Sequence, residues 1–267
     1  MKGLHVCVLA VAVVAILGVA RPASAQGDEI QVYDGGLAPK GVFNLTWHNN
    51  FTPKGIRTPA FPGAVAADKS WNGVPEWAYG VTSWFEAGLY LPLYSRDDTM
   101  GFGYDGFKIR TLFAVPNADD RKFFYGSNFE FSFNAKRWDT KLFTSEIRPI
   151  VGWHFEKVDV IINPIFDTSY DGLKNLEFVP SMRLAYNVSK VYAVAVEEYA
   201  DYGPIRGFVS AGQQYHQLYC VINRAGKSFD IEAGIGVGLN SATDRVTLKL
   251  LVSHDFNKPR DTAATKK

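Results

Sequence analysis

The sequence predicts an all-β fold: a transmembrane antiparallel up-and-down β-barrel of about 12 strands, with short periplasmic turns and longer extracellular loops. Three observations carry this expectation. Apolar and polar residues alternate with period two along most of the chain, and no period-3.6 pattern competes after the N-terminus. Tight turns and longer loops alternate between the segments. An export leader stands in front of them.

The leader comes first. Lys2 supplies a short positive start, "VCVLAVAVVAILGVA" an apolar run, and "ASA" at 23–25 a small-residue cleavage site before Gln26. The run is short for a membrane helix, which needs roughly 20 apolar residues, and it ends at that site. Residues 1–25 are therefore expected to be a cleaved signal peptide. Removing them takes Lys2 and Arg21 from the 28 basic residues and leaves the 27 acidic ones, so 26 face 27. Such a balance gives no grounds for binding nucleic acid. Cys7 departs with the leader and Cys220 has no intrachain partner, which excludes a disulfide framework.

Residues 26–40 are expected to form an N-terminal periplasmic segment near the mouth of the barrel, and 41–256 the barrel itself. Its alternating segments run over 41–52, 74–81, 84–94, 102–115, 123–136, 141–155, 158–168, 175–187, 190–201, 213–222, 228–239 and 244–256. The pattern is clearest late in the chain. Phe229, Ile231, Ala233, Ile235, Val237 and Leu239 oppose Ser228, Asp230, Glu232, Gly234, Gly236 and Gly238. In "RVTLKLLVSHDF" (245–256), Val246, Leu248, Leu250, Val252 and Phe256 oppose Arg245, Thr247, Lys249, Ser253 and Asp255. The tail 257–267 is polar and expected to be disordered.

Alternation alone does not say whether the apolar face meets protein or lipid. A soluble barrel turns it inward and a transmembrane barrel turns it outward. Connection lengths decide. "GVTS", "EK", "VSK" and "RAGK" are tight, whereas 52–73 and 201–213 are long and rich in Gly and Pro. Segment lengths also suit a tilted bilayer-spanning strand of about 9–11 residues. Aromatics such as Trp47, Trp77, Trp84, Trp153 and Phe256 gather at segment ends, where interfacial girdles belong.

Several stretches also resemble a known family. "DEIQVYDG", "YGVTSWFEAGLYLPLY", "YDGFKIR", "EIRPIVGW", "NPIFD" and "TDRVTLKLLVSHDF" are similar, in this order, to bacterial outer-membrane barrels catalogued as transporters under the heading MetA-pathway of phenol degradation. The resemblance runs over most of residues 28–256. It implies a barrel in the outer membrane of a Gram-negative bacterium that passes small organic compounds.

The polar face carries charge near mid-height. Lys108, Arg110, Arg148, Arg183 and Lys249 are countered by Glu86, Glu130, Glu146, Glu197 and Glu232. These ten are the candidate site, as a solute path or as a lattice of paired charges that holds the barrel's shape. "GIGVG" (234–238) does not match a nucleotide loop and fits lumen-facing glycines on a crowded wall. Ser253 and His254 adjoin on one strand and so point to opposite faces, and neither G-x-S-x-G nor H-E-x-x-H occurs. Catalysis, metal ligation and cofactors have no support in the sequence. Glu198 stands out, because its register places it on the apolar face beside Val194 and Val196.

The expected function is an outer-membrane channel for small organic solutes, aromatic ones included, through a polar, charge-lined lumen. A plugged structural, receptor or adhesin-like barrel is the alternative, and an outer-membrane hydrolase comes third. The expected partners are outer-membrane lipid, the solute, and the barrel-assembly machinery, for which Phe256 resembles the terminal aromatic signal.

Overall fold

The structure, a computed structural model, describes residues 27–257. The expected signal peptide and all but the first residue of the expected tail lie outside them. Fourteen strand segments follow in chain order: β1 Phe43–Lys54, β2 Ser70–Gly80, β3 Phe85–Asp97, β4 Gly101–Ala114, β5 Phe123–Asn134, β6 Phe143–His154, β7 Val158–Asn163, β8 Phe166–Thr168, β9 Glu177–Phe178, β10 Ser181–Asn187, β11 Tyr192–Asp201, β12 Tyr215–Arg224, β13 Asp230–Gly238 and β14 Val246–Asp255. They build one closed antiparallel barrel of twelve staves, because β7 with β8, and β9 with β10, are the halves of single staves. Closure comes from β14 pairing β1, from Asn44 opposite Asp255 to Lys54 opposite Val246. No α-helix occurs among the described residues, only short 3-10 turns at Ala118–Asp120 and Leu173–Asn175.

Each expected segment is found within a few residues of its expected ends. The two divided staves are the exception, and proline explains both. Pro164 and Pro180 have no N–H to give the ladder. The main chain bridges the gap instead, with Val179 N donating to Ile165 O at 3.0 Å and Ala200 N to Pro180 O at 3.0 Å. Gly236 illustrates the crowding expected of the lumen wall. It lies opposite Tyr219, whose ring would sit 2.3 Å from a Cβ at that position, so only glycine admits the aromatic.

The two faces separate as the alternation requires. Leu248, Leu250 and Ile235 point out and are 37 %, 41 % and 58 % exposed, whereas Thr247 and Lys249 between them are buried. Outward aromatics cluster toward the strand ends, as in Phe43–Tyr79 and the Trp84–Phe85–Phe113 stack. Glu198 keeps its outward register without a bulge, opposite Met182 and Leu218. Its carboxylate lies 3.2 Å from His216 Nδ1 near the loop end.

An outward face this apolar has a consequence for assembly. A charge on it at bilayer depth costs about 2–4 kcal/mol. Ile235→Arg is expected to reduce the folded, heat-modifiable fraction after refolding into lipid, while an arginine at Ser253, near the short-turn end, is expected to be milder. Equal folded fractions for both would show that the Ile235 face does not meet lipid.

Candidate functional site

The lumen is occupied by the chain itself. Residues 27–40 run through it from the long-loop end to the short-turn end. Gly27 and Asp28 lie at the long-loop end, where the Asn50 amide donates to their carbonyls at 3.1 and 3.2 Å. Asp28 meets Lys108 at 2.6 Å. Arg148 donates to Gln31 O at 3.0 Å and lies 3.8 Å from Glu29, and Lys249 donates to Ile30 O at 3.2 Å. Asn163 clasps Tyr33 from both sides, accepting from its N–H at 2.7 Å and donating to its carbonyl at 3.0 Å. The Tyr33 hydroxyl meets that of Tyr90 at 2.5 Å, and its ring lies under the Arg148 guanidinium at 4.6 Å. Lower down, Ala38 N donates to Glu86 at 2.5 Å, and Gly41 N to Gly80 O at 2.7 Å beside the 81–84 turn.

This corrects the expected position of the N-terminal segment at the periplasmic mouth. Two acids, Asp28 and Glu29, and three buried apolar side chains, Ile30, Val32 and Tyr33, sit within six residues. The wall offers cations to the first group and apolar surface to the second, and the periplasm offers neither. Gly35 lets the segment turn: its φ is +78°, and a Cβ there would come within 3.1 Å of the Phe124 ring.

The structure brings all ten sequence-named residues into ion pairs around this segment. Arg110 is held by Glu86 at 2.5 Å and Glu76 at 2.6 Å. Lys108 lies between Asp28 and Glu130, the latter at 3.2 Å, and Arg148 meets Glu146 at 2.6 Å. Glu197 and Glu232 share two cations: Arg183 contacts both, and Lys249 lies 2.5 and 2.6 Å from them. The alternation identified the wall but missed four participants. Glu76 follows a register shift between Gly73 and Glu76 that obscures its parity. His48, fully buried and 2.9 Å from Glu76, stands in no motif or spacing that marks it in the sequence. Asp28 and Glu29 belong to a segment placed elsewhere, and only their unusual density could have flagged them.

Apolar side chains share the inward face with the charges. Leu112, Phe124 and Ile150 toward the short turns, and Ile161 and Tyr219 level with Arg183 and Glu197, belong to one cluster with Ile30, Val32 and Tyr33. The lumen wall is therefore charged in a belt and apolar beside and below it. Phe124 also stacks on His154 at 4.7 Å, and His154 pairs with Asp159 at 2.7 Å. Ser253 and His254 face apart: the serine hydroxyl meets Thr46, and the imidazole meets the Ser228 carbonyl.

Asp119, in the 3-10 turn at this end and still open to solvent, is pushed above the usual carboxylate range by partial desolvation and then by the nearby Asp34 and Asp120, with His154 opposing. An acid raised in the folded state holds its proton longer there than in the unfolded chain. Its contribution is complete at low pH and is lost as pH rises through the raised value. Asp119→Asn is therefore expected to be more stable than the parent at pH 8 and to converge with it near pH 4. Parallel unfolding curves at both pH values would overturn this.

The fold and its filled, charge-laced interior define the class: the architecture is that of outer-membrane β-barrels. The solved structures that resemble it include the COG4313 outer membrane channel from Pseudomonas putida F1, with TM-score 0.56, 13 % identity, and coverage of 85 % of this chain and 100 % of that one. Another is the KdgM porin in complex with disordered oligogalacturonate, with TM-score 0.51, 8 % identity, and coverage of 80 % and 99 %. At such identities the likeness is one of fold. No protein-family model and no curated protein matches the sequence, so the family named from its motifs stays a resemblance.

Proposed function

We propose that this protein is an outer-membrane channel for small organic solutes, held closed by residues 27–40. The observation that carries this reading is the segment's attachment. It continues into the barrel at Gly41 and, beside its apolar contacts, is held by hydrogen bonds and charge pairs from Asn50, Lys108, Arg148, Asn163 and Lys249. Water can take over each of those bonds once the segment moves. A barrel of this strand number lies between the filled eight-stranded kind and the open sixteen-stranded kind, so the segment's cross-section decides whether a path exists. The structural likeness to a channel and a porin supports the reading. Export to a Gram-negative outer membrane and passage through a charge-flanked path, with no catalysis, belong to it.

A second reading has its own observation. Ile30, Val32 and Tyr33 are buried against Phe124, Ile150 and Tyr219, and their withdrawal exposes apolar surface. That favours a permanently plugged, structural barrel. Planar-bilayer conductance of the whole protein, beside a variant lacking residues 27–39, separates the two. A permanent plug predicts that the intact protein stays silent at every voltage and solute concentration.

A further inference from the structure

The outward wall is not uniform. Across β7 and β10–β14 it carries a depression of about 1050 Å³. Side-chain length explains where it lies. Val194, Val196, Cys220 and Ala233, on the neighbouring staves β11, β12 and β13, are short and form its floor. Leu184, paired with Val196, stands on one side, and Leu250, paired with Ala233, on the other. Lys249 also borders the depression, but its ammonium turns into the lumen toward Glu197 and Glu232. The depression itself is therefore apolar.

Any such surface at bilayer depth meets lipid. What marks this one is the charge at its foot. Arg224 follows Ile222 on the outward face of β12, opposite Tyr192 and one pleat nearer the short turns. The turns on this side add Lys157, Lys190 and Lys227, and Lys157 directly precedes Val158, which lines the depression. These four cations are exposed, and none has an ion pair among the described residues. The acids of the same turns are Glu156 and Asp230, and Asp230 accepts from Gly226 N–H at 2.8 Å. The other short turns show no such excess. Residues 81–84 are uncharged, and in 115–122 Asp119 and Asp120 balance Arg121 and Lys122.

We infer that this face holds an anionic glycerophospholipid from the leaflet at the short-turn end, with its acyl chains in the depression and its phosphate on Arg224 and the flanking lysines. A guanidinium binds a phosphate diester through two N–H groups, and the lysines add point charges around it. A zwitterionic lipid offers the same chains but brings its own ammonium to the cations. A second copy of the chain fits worse. Within one membrane a twofold contact sets each patch against itself, so Arg224 and the lysines would face their own copies. The site lies outside the barrel and does not depend on whether the lumen conducts.

The test is native mass spectrometry of the refolded full chain, released from micelles that hold equal amounts of dioleoyl phosphatidylglycerol and dioleoyl phosphatidylcholine. The two lipids share their acyl chains and differ in charge. Phosphatidylglycerol is expected to be retained about tenfold or more over phosphatidylcholine, since several cations contribute. Arg224→Gln is expected to lower that preference about fivefold, the share of one cation beside an anionic headgroup. Ala233→Trp fills the floor with an apolar group and is expected to lower retention of phosphatidylglycerol by a similar factor. Heat-modifiability checks the folding of both variants. Raising ammonium acetate on the unaltered protein is expected to shrink the preference through screening, which keeps the test decisive if a variant does not fold. Equal retention of the two lipids, a preference that salt does not move, or unchanged retention by folded Ala233→Trp would overturn the inference. A lipid-free dimer in the same spectrum would overturn it in favour of a second copy.

Discussion

Deleting residues 27–39 is expected to raise single-channel conductance in planar bilayers by roughly an order of magnitude, because a twelve-stave barrel freed of its filling approaches an open pore. The segment of 27–40, extended, reaches roughly 45 Å, enough to run the height of a hydrocarbon core of about 30 Å. Its removal takes away Asp28 and Glu29 but leaves the closed hydrogen-bond ladder from β1 to β14 intact. Lys108 keeps Glu130, Arg148 keeps Glu146, and Lys249 keeps Glu197 and Glu232, so no wall cation is left without a counter-charge. The variant should therefore fold and remain heat-modifiable. A folded deletion variant whose conductance equals that of the parent would show that the segment does not block the path.

Lys249→Met is expected to have the largest effect on stability among single substitutions in the charge belt. The ammonium is fully buried, contacts Glu197 and Glu232, donates to Ile30 O, and lies 5.7 Å from the ring centres of both Tyr199 and Tyr219. Methionine fills the space but leaves two carboxylates to share Arg183 alone. Breaking a buried pair in this way costs about 3–5 kcal/mol, more than the pair itself contributes, because the desolvated partner charge remains. Denaturant unfolding of the refolded barrel should show the loss. Lys249→Met combined with Glu232→Gln should recover part of it. A loss under about 1 kcal/mol, the scale of an exposed pair, would mean that water reaches the belt freely.

The two variants probe opposite sides of what could be read from the sequence. "RVTLKLLVSHDF" shows the legible part. Period two is local, so Leu248 outward and Lys249 inward follow from the strand alone once connection lengths decide for lipid. The same logic placed Glu86, Lys108, Arg110, Glu130, Glu146, Arg148, Arg183, Glu197 and Glu232 on the inner wall. It could not pair them, because Lys249 and Glu197 are 52 residues apart and meet only when the cylinder closes.

Where the rule is interrupted, the reading failed for identifiable reasons. Pro164 and Pro180 broke two staves that alternation drew as continuous, and the register shift before Glu76 hid a principal ligand of Arg110. Leu112, Phe124 and Ile150 turn apolar side chains inward against the outward-greasy rule. Their partner is the lumen segment, which no periodicity places.

What the sequence by itself determined is the wall: strand number and strand ends, set by neighbours one or two residues apart, and the side that meets lipid, set by the lengths of the connections. What only the tertiary structure decided is the interior. The course of residues 27–40 and contacts such as Lys249 with Glu197, three staves apart, depend on the curvature and closure of the barrel, a long-range event that local alternation does not encode.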